Sequence, residues 1–322
     1  MGEHGLAVVA AGKTVWLCPG QGTQKVGMGK DLAARFPAAR LTFEAIDEAL
    51  GFSLSQVMFE GPSDALTATN NAQPAILAHS AAVFAVLGPA LGAPAAATGH
   101  SLGEYSAYVT AGALTASDAA TLVRQRGELM QRAGQDRPGT MAVVLGLPVE
   151  DVEAACHEAS TTGAIAVAAN LNAPDQTVIS GDPEAVTRAG AACRARGAKR
   201  VIDLKVSGAF HSPLMAPAAN RLRVVLDKAA FGEPAFPVIA NATAEAVTTS
   251  ARARRLLVDQ LTAPVRWVEC VAHAVRIAGD GAHFIEIGPG SVLTGLLKRS
   301  APNAQVASAG TADELAQLLE AA

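Results

Sequence analysis

The chain has 322 residues, of which 50% are hydrophobic and 17% charged, a composition that excludes a disordered protein and allows a large core. Its net charge of −4 offers no basic surface for nucleic acid, and the densest basic stretch, Arg252 to Arg255, is too short to provide one. The four cysteines are widely separated and form no C-x-x-C pair, which predicts reduced thiols and neither a metal site nor a disulfide framework.

Residues 1–13 form a predicted N-terminal extension. Their apolar stretch, Leu6 to Ala11, is shorter than the hydrophobic region of a secretory signal. No run of about 18 uninterrupted apolar residues follows, as a membrane-spanning helix would need. We therefore expect a cytoplasmic protein.

Short apolar runs alternate with longer segments of helical spacing along the rest of the chain. The runs are Thr14–Cys18, Met141–Leu145, Thr177–Ser180, Pro237–Asn241 and His283–Ile287. Strands that alternate with helices predict an α/β fold with a parallel sheet. We expect a large hydrolase-like α/β subdomain that comprises residues 14–137 and 206–322.

A smaller subdomain is predicted as an insertion at residues 138–205. After Pro138 and Gly139, the pattern indicates a strand, a helix over Val149–Ala159, two short strands, a helix over Pro183–Arg196 and a last strand. This order of elements is typical of a ferredoxin-like α+β unit.

A G-x-S-x-G pentapeptide, Gly99 to Gly103, follows the small-residue run Ala95–Thr98 and precedes a helix predicted to begin near Glu104. A strand, a sharp turn and a helix in this order indicate a nucleophile elbow, in which Ser101 lies at the turn. Glycine is needed on both sides because larger side chains would collide with the strand and the helix. The pentapeptide alone only suggests this, because it arises by chance in glycine-rich chains.

A serine nucleophile needs a base, and His211 lies in the most loop-like context of the seven histidines, within Val206–Pro213. His100, beside Ser101, is predicted either to contact substrate or to support the elbow. The other histidines are expected to have structural or surface roles: His4, His79, His157, His273 and His283.

Several further motifs occur in a fixed order along nearly the whole chain. They are Pro19–Gln24, Gly99–Glu104, Gln125–Gly127, Asn170–Pro174, Gly208–Ser212, Gln260–Pro264 and Gly288–Gly290. Together they resemble the malonyl-CoA:acyl carrier protein transacylases of fatty acid synthesis and the related acyltransferases of polyketide synthases. Thr23 and Cys18 depart from that pattern, where serine and an aromatic residue are more common, but neither departure removes a catalytic group.

The resemblance implies a covalent mechanism. Ser101 would be acylated and His211 would act as its base, while Gln21 and Leu102 would supply the backbone N–H groups of an oxyanion hole. The family orients its histidine with main-chain carbonyl groups, and the matching position is Gln260.

Asp203 is a second candidate for orienting the histidine, although a solvated or salt-bridged carboxylate is the simpler interpretation of this residue.

The resemblance also implies the substrate. Arg126 would bind the free carboxylate of a malonyl group with two parallel hydrogen bonds, whereas the neighbouring Arg124 is interpreted as a surface residue. Phe210 is predicted to disfavour acyl groups with a branch at the α-carbon. Met130, one helical turn after Arg126, is predicted either to line the pocket or to pack in the core.

Three alternatives stay open at this point: a discrete polyketide acyltransferase that uses a substituted malonyl-CoA, a hydrolase of stalled acyl chains, and a noncatalytic docking partner of a carrier protein. No metal or redox cofactor is expected, and coenzyme A enters only as the thioester of the substrate. A phosphopantetheinylated acyl carrier protein is the expected partner. Its acidic helix would meet basic side chains, with these candidates: Lys199, Arg200 and Lys205, or Lys298 and Arg299.

Overall fold

A computed structural model describes residues 13–322, so the predicted extension lies outside the described residues except for Lys13. The strands are β1 (Thr14–Cys18), β2 (Ala96–Gly99), β3 (Thr140–Leu145), β4 (Ala166–Ala173), β5 (Gln176–Gly181), β6 (Arg200–Asp203), β7 (Val238–Ile239), β8 (Ala246–Val247), β9 (His283–Ile287) and β10 (Gln305–Ala309). The helices are α1 (Lys30–Arg35), α2 (Pro37–Leu50), α3 (Leu54–Glu60), α4 (Ser63–Thr67), α5 (Thr69–Leu91), α6 (Gly103–Thr110), α7 (Ala116–Asp136), α8 (Val149–Ala159), α9 (Pro183–Ala195), α10 (Ala216–Lys228), α11 (Ser250–Asp259), α12 (Trp267–Ala278), α13 (Val292–Ser300) and α14 (Ala312–Ala321).

The large subdomain is built on a sheet of six strands in the order β10-β9-β1-β2-β7-β8. The strands from β10 to β7 are parallel, and β8 pairs antiparallel with β7 at one edge. Successive side chains of the fully buried β1 enter different cores, Val15 and Leu17 on one side of the sheet and Trp16 on the other. The predicted parallel α/β subdomain is thus confirmed.

The small subdomain is an antiparallel sheet in the order β4-β5-β3-β6, with α8 and α9 packed against it. The chain passes through β3, α8, β4, β5, α9 and β6, which is the predicted ferredoxin-like order. These elements run from Thr140 to Asp203, inside the expected insertion at 138–205. The residues at which one subdomain gives way to the other stay a prediction.

The two subdomains are joined by backbone hydrogen bonds as well as by the chain itself. The Leu171 N–H of β4 donates to the Val265 carbonyl (2.9 Å), and the Val265 N–H donates to the Ala169 carbonyl (2.9 Å). Arg299, on α13, pairs with Asp175 in the turn after β4. The small sheet is therefore held against the large subdomain from two sides.

Helix α5 is long and apolar enough to cross a membrane by length and composition alone. Polar residues interrupt it, which is why a search for uninterrupted apolar runs did not find it. In the structure, 67% of its apolar window is buried, and it packs against α2 and α7. It is therefore the central core helix of the large subdomain.

The elbow between β2 and α6 is closely packed backbone against backbone. A Cβ atom at Gly99 would lie 2.0 Å from the carbonyl carbon and oxygen of Gly103. A Cβ atom at Gly103 would lie 2.1 Å from the carbonyl oxygen of Cys18, at the end of β1. Both glycines are thus required for the strand and the helix to meet at this distance.

We predict opposite effects of one substitution at two helical glycines. Gly103→Ala should lower the free energy of unfolding by about 2 kcal/mol or more, because backbone must move to admit the methyl group. Gly295→Ala should raise it by about 0.5 kcal/mol through the better helix propensity of alanine, since nothing lies within 4 Å of its Cβ position. Urea denaturation of both variants measures this, and equal effects would contradict the packing of the elbow.

Candidate active site

Ser101 lies at the tip of the elbow in a strained backbone conformation. Its φ is +53°, in the left-handed region that costs a residue with a side chain on the order of 1 kcal/mol. Asn241 supports this conformation, because its side-chain oxygen accepts from the Ser101 N–H (2.7 Å) and its Nδ2 donates to the Gly99 carbonyl (2.8 Å). The buried amide of Asn241 therefore holds both sides of the turn.

The role of Asn241 was not predicted from the sequence, although this residue ends one of the predicted strands. It follows β7, which is the parallel neighbour of β2. A polar residue at the carboxyl end of that neighbouring strand was the available signal, because the carboxyl ends of parallel strands meet at one edge of the sheet.

His211 is placed as a base for Ser101. Its Nε2 lies 2.8 Å from the Ser101 Oγ, and its Nδ1 lies 2.8 Å from the main-chain oxygen of Gln260. A carbonyl oxygen can only accept, so Nδ1 carries the proton and Nε2 is free to accept one. Burial, with a further contribution from the Arg126 charge, lowers the pKa of His211 to about 3, so the ring is neutral at neutral pH.

Asp203 is not placed to orient the histidine. It is an exposed residue at the end of β6, while the Nδ1 of His211 contacts the main chain of Gln260. Of the two candidates left open by the sequence, the structure thus selects the carbonyl group of Gln260.

Arg126 is a fully buried cation whose contacts are neutral. Its Nη1 donates to Gln73 Oε1 (2.8 Å), and its Nη2 donates to Gln260 Oε1 (3.0 Å) and to Ser101 Oγ (3.1 Å). Within residues 13–322, no carboxylate oxygen lies within 4.0 Å of its guanidinium nitrogens. A buried cation held only by amides and a hydroxyl can accept an anionic ligand beside the serine.

Two backbone N–H groups near Ser101 are available to a ligand. Gln21 and Leu102 donate to no acceptor among the residues that the structure describes, whereas the Ser101 N–H is taken by Asn241. The loop that carries Gln21 passes close to the elbow, since a Cβ atom at Gly20 would lie 2.4 Å from the His100 carbonyl oxygen. These are the two groups that the sequence assigned to an oxyanion hole.

A cavity of about 730 Å³ lies beside Ser101 and Gln21. Ser101, His211 and Arg126 line its floor together with Phe210 and Met130. Met130 both lines the cavity and packs in the core, because it is only 2% exposed and its Sδ accepts from the Gln73 amide (3.4 Å). The cavity therefore combines a buried cation with an apolar wall.

His100 lines the same cavity but is fixed by its neighbours. Its Nε2 lies 2.8 Å from Asn172 Oδ1 on β4, and its ring centroid lies 5.5 Å from that of Trp267. Burial lowers the pKa of His100. His100 thus connects the elbow to the small subdomain, which favours the supporting role over a catalytic one.

The candidate basic residues for carrier binding differ in their surroundings. Lys199, Arg200 and Lys298 are exposed, and exposed Lys205 lines the mouth of the cavity. Arg299 forms an ion pair with Asp175 and so helps to hold the two subdomains together.

The described part of the chain contains no cluster of metal-binding side chains and no disulfide bond. No group of three or more histidine, cysteine or acidic side chains there could hold a metal ion. The four cysteines are buried and form no disulfide bond, and burial raises the pKa of each thiol.

Comparison with known proteins identifies relatives over most of the chain. The family model described as acyl transferase domain matches residues 15–317. The malonyl CoA-acyl carrier protein transacylase of Bacillus subtilis is 45% identical over 287 residues, which cover 89% of this chain and 90% of the relative. The enzyme of the same name from Escherichia coli K12 is 45% identical over 283 residues, which cover 87% of this chain and 90% of the relative.

Solved structures of similar proteins have the same fold. An acyl carrier protein S-malonyltransferase from Vibrio cholerae superposes with a TM-score of 0.91 at 40% identity, over 94% of this chain and 99% of that one. A malonyl-transacylase solved in complex with its type II polyketide synthase acyl-carrier protein gives 0.91 at 43% identity, over 96% of this chain and 99% of that one. This chain therefore belongs to the acyl transferase domain family and, within it, to the malonyl CoA-acyl carrier protein transacylases.

Proposed function

We propose that this chain transfers a malonyl group from malonyl-CoA to the phosphopantetheine thiol of an acyl carrier protein, through an ester on Ser101. The observation that carries the proposal is the position of Arg126, whose Nη2 lies 3.1 Å from the Ser101 Oγ. A malonyl group has a thioester carbonyl and a carboxylate separated by one carbon. A nucleophile and a buried cation at this separation match those two groups.

In the first half-reaction Ser101 attacks the thioester carbonyl of malonyl-CoA. The Oγ–C bond forms while His211 Nε2 takes the hydroxyl proton. The N–H groups of Gln21 and Leu102 donate to the oxyanion of the tetrahedral intermediate. The C–S bond then breaks, and the imidazolium returns the proton to the sulfur of the departing coenzyme A.

In the second half-reaction the carrier thiol replaces coenzyme A. His211 takes the thiol proton as the sulfur attacks the ester carbonyl, and the same N–H groups stabilise the second intermediate. The Oγ–C bond breaks, and the proton passes from His211 to Ser101. The enzyme returns to its starting state with one base and no cofactor beyond the coenzyme A of its substrate.

The substrate carboxylate changes the contacts of Arg126 as it binds. In the structure, Ser101 Oγ accepts a hydrogen bond from Arg126 Nη2. A carboxylate with two oxygens is a stronger acceptor and would draw the guanidinium onto itself. The serine lone pair is then released for attack, so malonyl binding prepares the nucleophile.

Phe210, at the cavity wall, crowds a branch at the α-carbon of the acyl group and so favours unbranched malonyl over substituted malonyl groups.

Hydrolysis of stalled acyl chains is the competing function on this fold. A hydrolase of this kind does not need to bind a substrate carboxylate. Arg126, in contrast, is buried beside the nucleophile and has lost its hydration, which is costly unless the cation binds an anionic group. A noncatalytic docking role does not explain why the His211 Nε2 lies within hydrogen-bond distance of the Ser101 Oγ. The transferase is therefore the better match to the site.

The carrier protein would approach the mouth of the cavity, where exposed Lys205 can meet its acidic surface. The site serves a carrier of fatty acid or of polyketide synthesis equally well, because both present the same phosphopantetheine thiol. We place the reaction in the cytoplasm.

We predict a covalent intermediate on Ser101. Brief incubation of the intact protein with malonyl-CoA should add one malonyl group, and a phosphopantetheinylated carrier protein should then remove it. Ser101→Ala should form no adduct because the attacking oxygen is gone. Intact-protein mass spectrometry measures each step, and an adduct that is lost to water as fast as to the carrier would favour the hydrolase.

We predict that Arg126 determines the preference for malonyl. Arg126→Ala should lower the rate of acylation by malonyl-CoA on the order of a hundredfold, since a charge-assisted hydrogen-bonded pair is lost. Acylation by acetyl-CoA should change far less.

Arg132→Ala is the matched control for this prediction, because Arg132 lies on the same helix but is exposed and pairs with Asp136 at the surface. It should leave both rates within about twofold, as expected for loss of a surface ion pair. Equal losses for malonyl and acetyl in Arg126→Ala would show that Arg126 acts only on the fold.

A further inference from the structure

Glu104, the second residue of α6, is a buried carboxylate directly behind the elbow. It is 0% exposed, and its Oε2 accepts from Gln260 Nε2 (2.7 Å) and from the Asn241 N–H (2.9 Å). Its Oε1 has no hydrogen-bond partner among the described residues. Burial of an ionisable group costs free energy, so a carboxylate in this position indicates a nearby positive charge that it balances.

That charge is on Arg126, on the far side of one amide group. Gln260 Oε1 accepts from Arg126 Nη2 (3.0 Å), while the Nε2 of the same amide donates to Glu104. The amide orientation follows from its two partners, because a guanidinium can only donate and a carboxylate only accepts. Guanidinium, amide and carboxylate therefore form one continuous chain of hydrogen bonds.

We propose that Glu104 is the internal counter-ion of Arg126, placed one amide away, and that its charge sets how strongly the pocket prefers an anionic acyl group. A direct ion pair would occupy the guanidinium and close it to substrate. With an amide between the two charges, Glu104 balances the buried cation, and the guanidinium gives this amide only one of its hydrogen bonds. The inference rests on the proposed function, since it concerns the same arginine.

Loss of the Glu104 charge has a definite direction of effect. A malonyl carboxylate at Arg126 is repelled by Glu104, whereas an acetyl group is not. Without Glu104 that repulsion is gone, and the cation of the acetyl complex has no anion to balance it. The preference for malonyl over acetyl should therefore rise.

The test compares Glu104→Gln with Glu286→Gln. Glutamine keeps one oxygen as the acceptor for Gln260 and Asn241, removes the charge and places an NH₂ group at the position of Oε1. Glu286 is an equally buried carboxylate on β9, but it accepts from the Leu293 and Thr294 N–H groups of α13. The measurement is the single-turnover rate of acylation by malonyl-CoA and by acetyl-CoA.

We expect Glu104→Gln to raise the malonyl-to-acetyl ratio of these rates by roughly tenfold, the effect of one unit charge on another at about 12 Å, from Glu104 past the amide and the guanidinium to the substrate carboxylate, at an effective dielectric constant near 20. Glu286→Gln should leave the ratio unchanged. An unchanged ratio in Glu104→Gln, with both rates lowered by the same factor, would reduce Glu104 to a structural support and overturn the proposal.

Arg126→Ala separates this inference from the proposed function. If that variant keeps the wild-type ratio, the proposed recognition of malonyl fails. If it abolishes the preference while Glu104→Gln leaves the ratio unchanged, only the role of Glu104 fails.

The wild-type protein provides a second measurement that needs no folded variant. Burial raises the pKa of Glu104 to about 7, so it loses its charge as the pH falls through neutrality. The titratable groups that face Glu104 do not change their protonation state in this range. Burial raises the pKa of Tyr105, Tyr108 and Cys270 further above neutrality, and the pKa of His211 is about 3. Arg126 stays protonated as arginines do in proteins.

We therefore expect the wild-type malonyl-to-acetyl ratio to rise as the pH is lowered from about 8.5 to about 6, across the range in which Glu104 takes up its proton. His211 stays neutral across this range in both complexes, because burial, the larger cause of its low pKa, is the same in both. A ratio that stays constant across this range would contradict the proposal, and so would a rise that persists in Glu104→Gln.

Discussion

The arrangement of the site depends on one buried residue, Gln260. Its main-chain oxygen accepts from His211 Nδ1, its side-chain oxygen accepts from Arg126, and its side-chain nitrogen donates to the Ser101 carbonyl and to Glu104. The oxygen and the nitrogen of the side-chain amide both make hydrogen bonds, so only one orientation of the amide satisfies all of its partners. Base, nucleophile and cation are thereby positioned by the same residue at the end of α11.

The charges of the site affect one another strongly because Arg126, His211 and Glu104 are all buried. Burial and the Arg126 cation both lower the pKa of His211, which keeps the imidazole neutral but makes it a weak base. In the proposed mechanism, a substrate carboxylate that pairs with Arg126 would offset the second of these effects, and His211 would become more basic when malonyl is bound. Recognition of the carboxylate and activation of the serine are therefore linked through electrostatics.

The small subdomain completes the cavity. Met141 of β3 and Asn170 of β4 line it, and Asn172 holds His100 beside the nucleophile. The hydrogen bonds between β4 and Val265 fix this wall relative to the elbow. The inserted sheet is thus part of the site, and its position decides the width of the cavity.

The sequence by itself predicted the α/β fold, the ferredoxin-like insertion and Ser101 at the elbow, because glycines at a sharp turn and strand–helix alternation are local signals. The roles of Arg126, Gln21 and Leu102 were implied only by the ordered motifs that resemble the transacylase family. Tertiary structure alone decided between Gln260 and Asp203 as the partner of His211. It also revealed Asn241 and Glu104, which are far from Gln260 in the chain. A buried polar group must find its partner wherever the fold places one, and that choice is made in three dimensions.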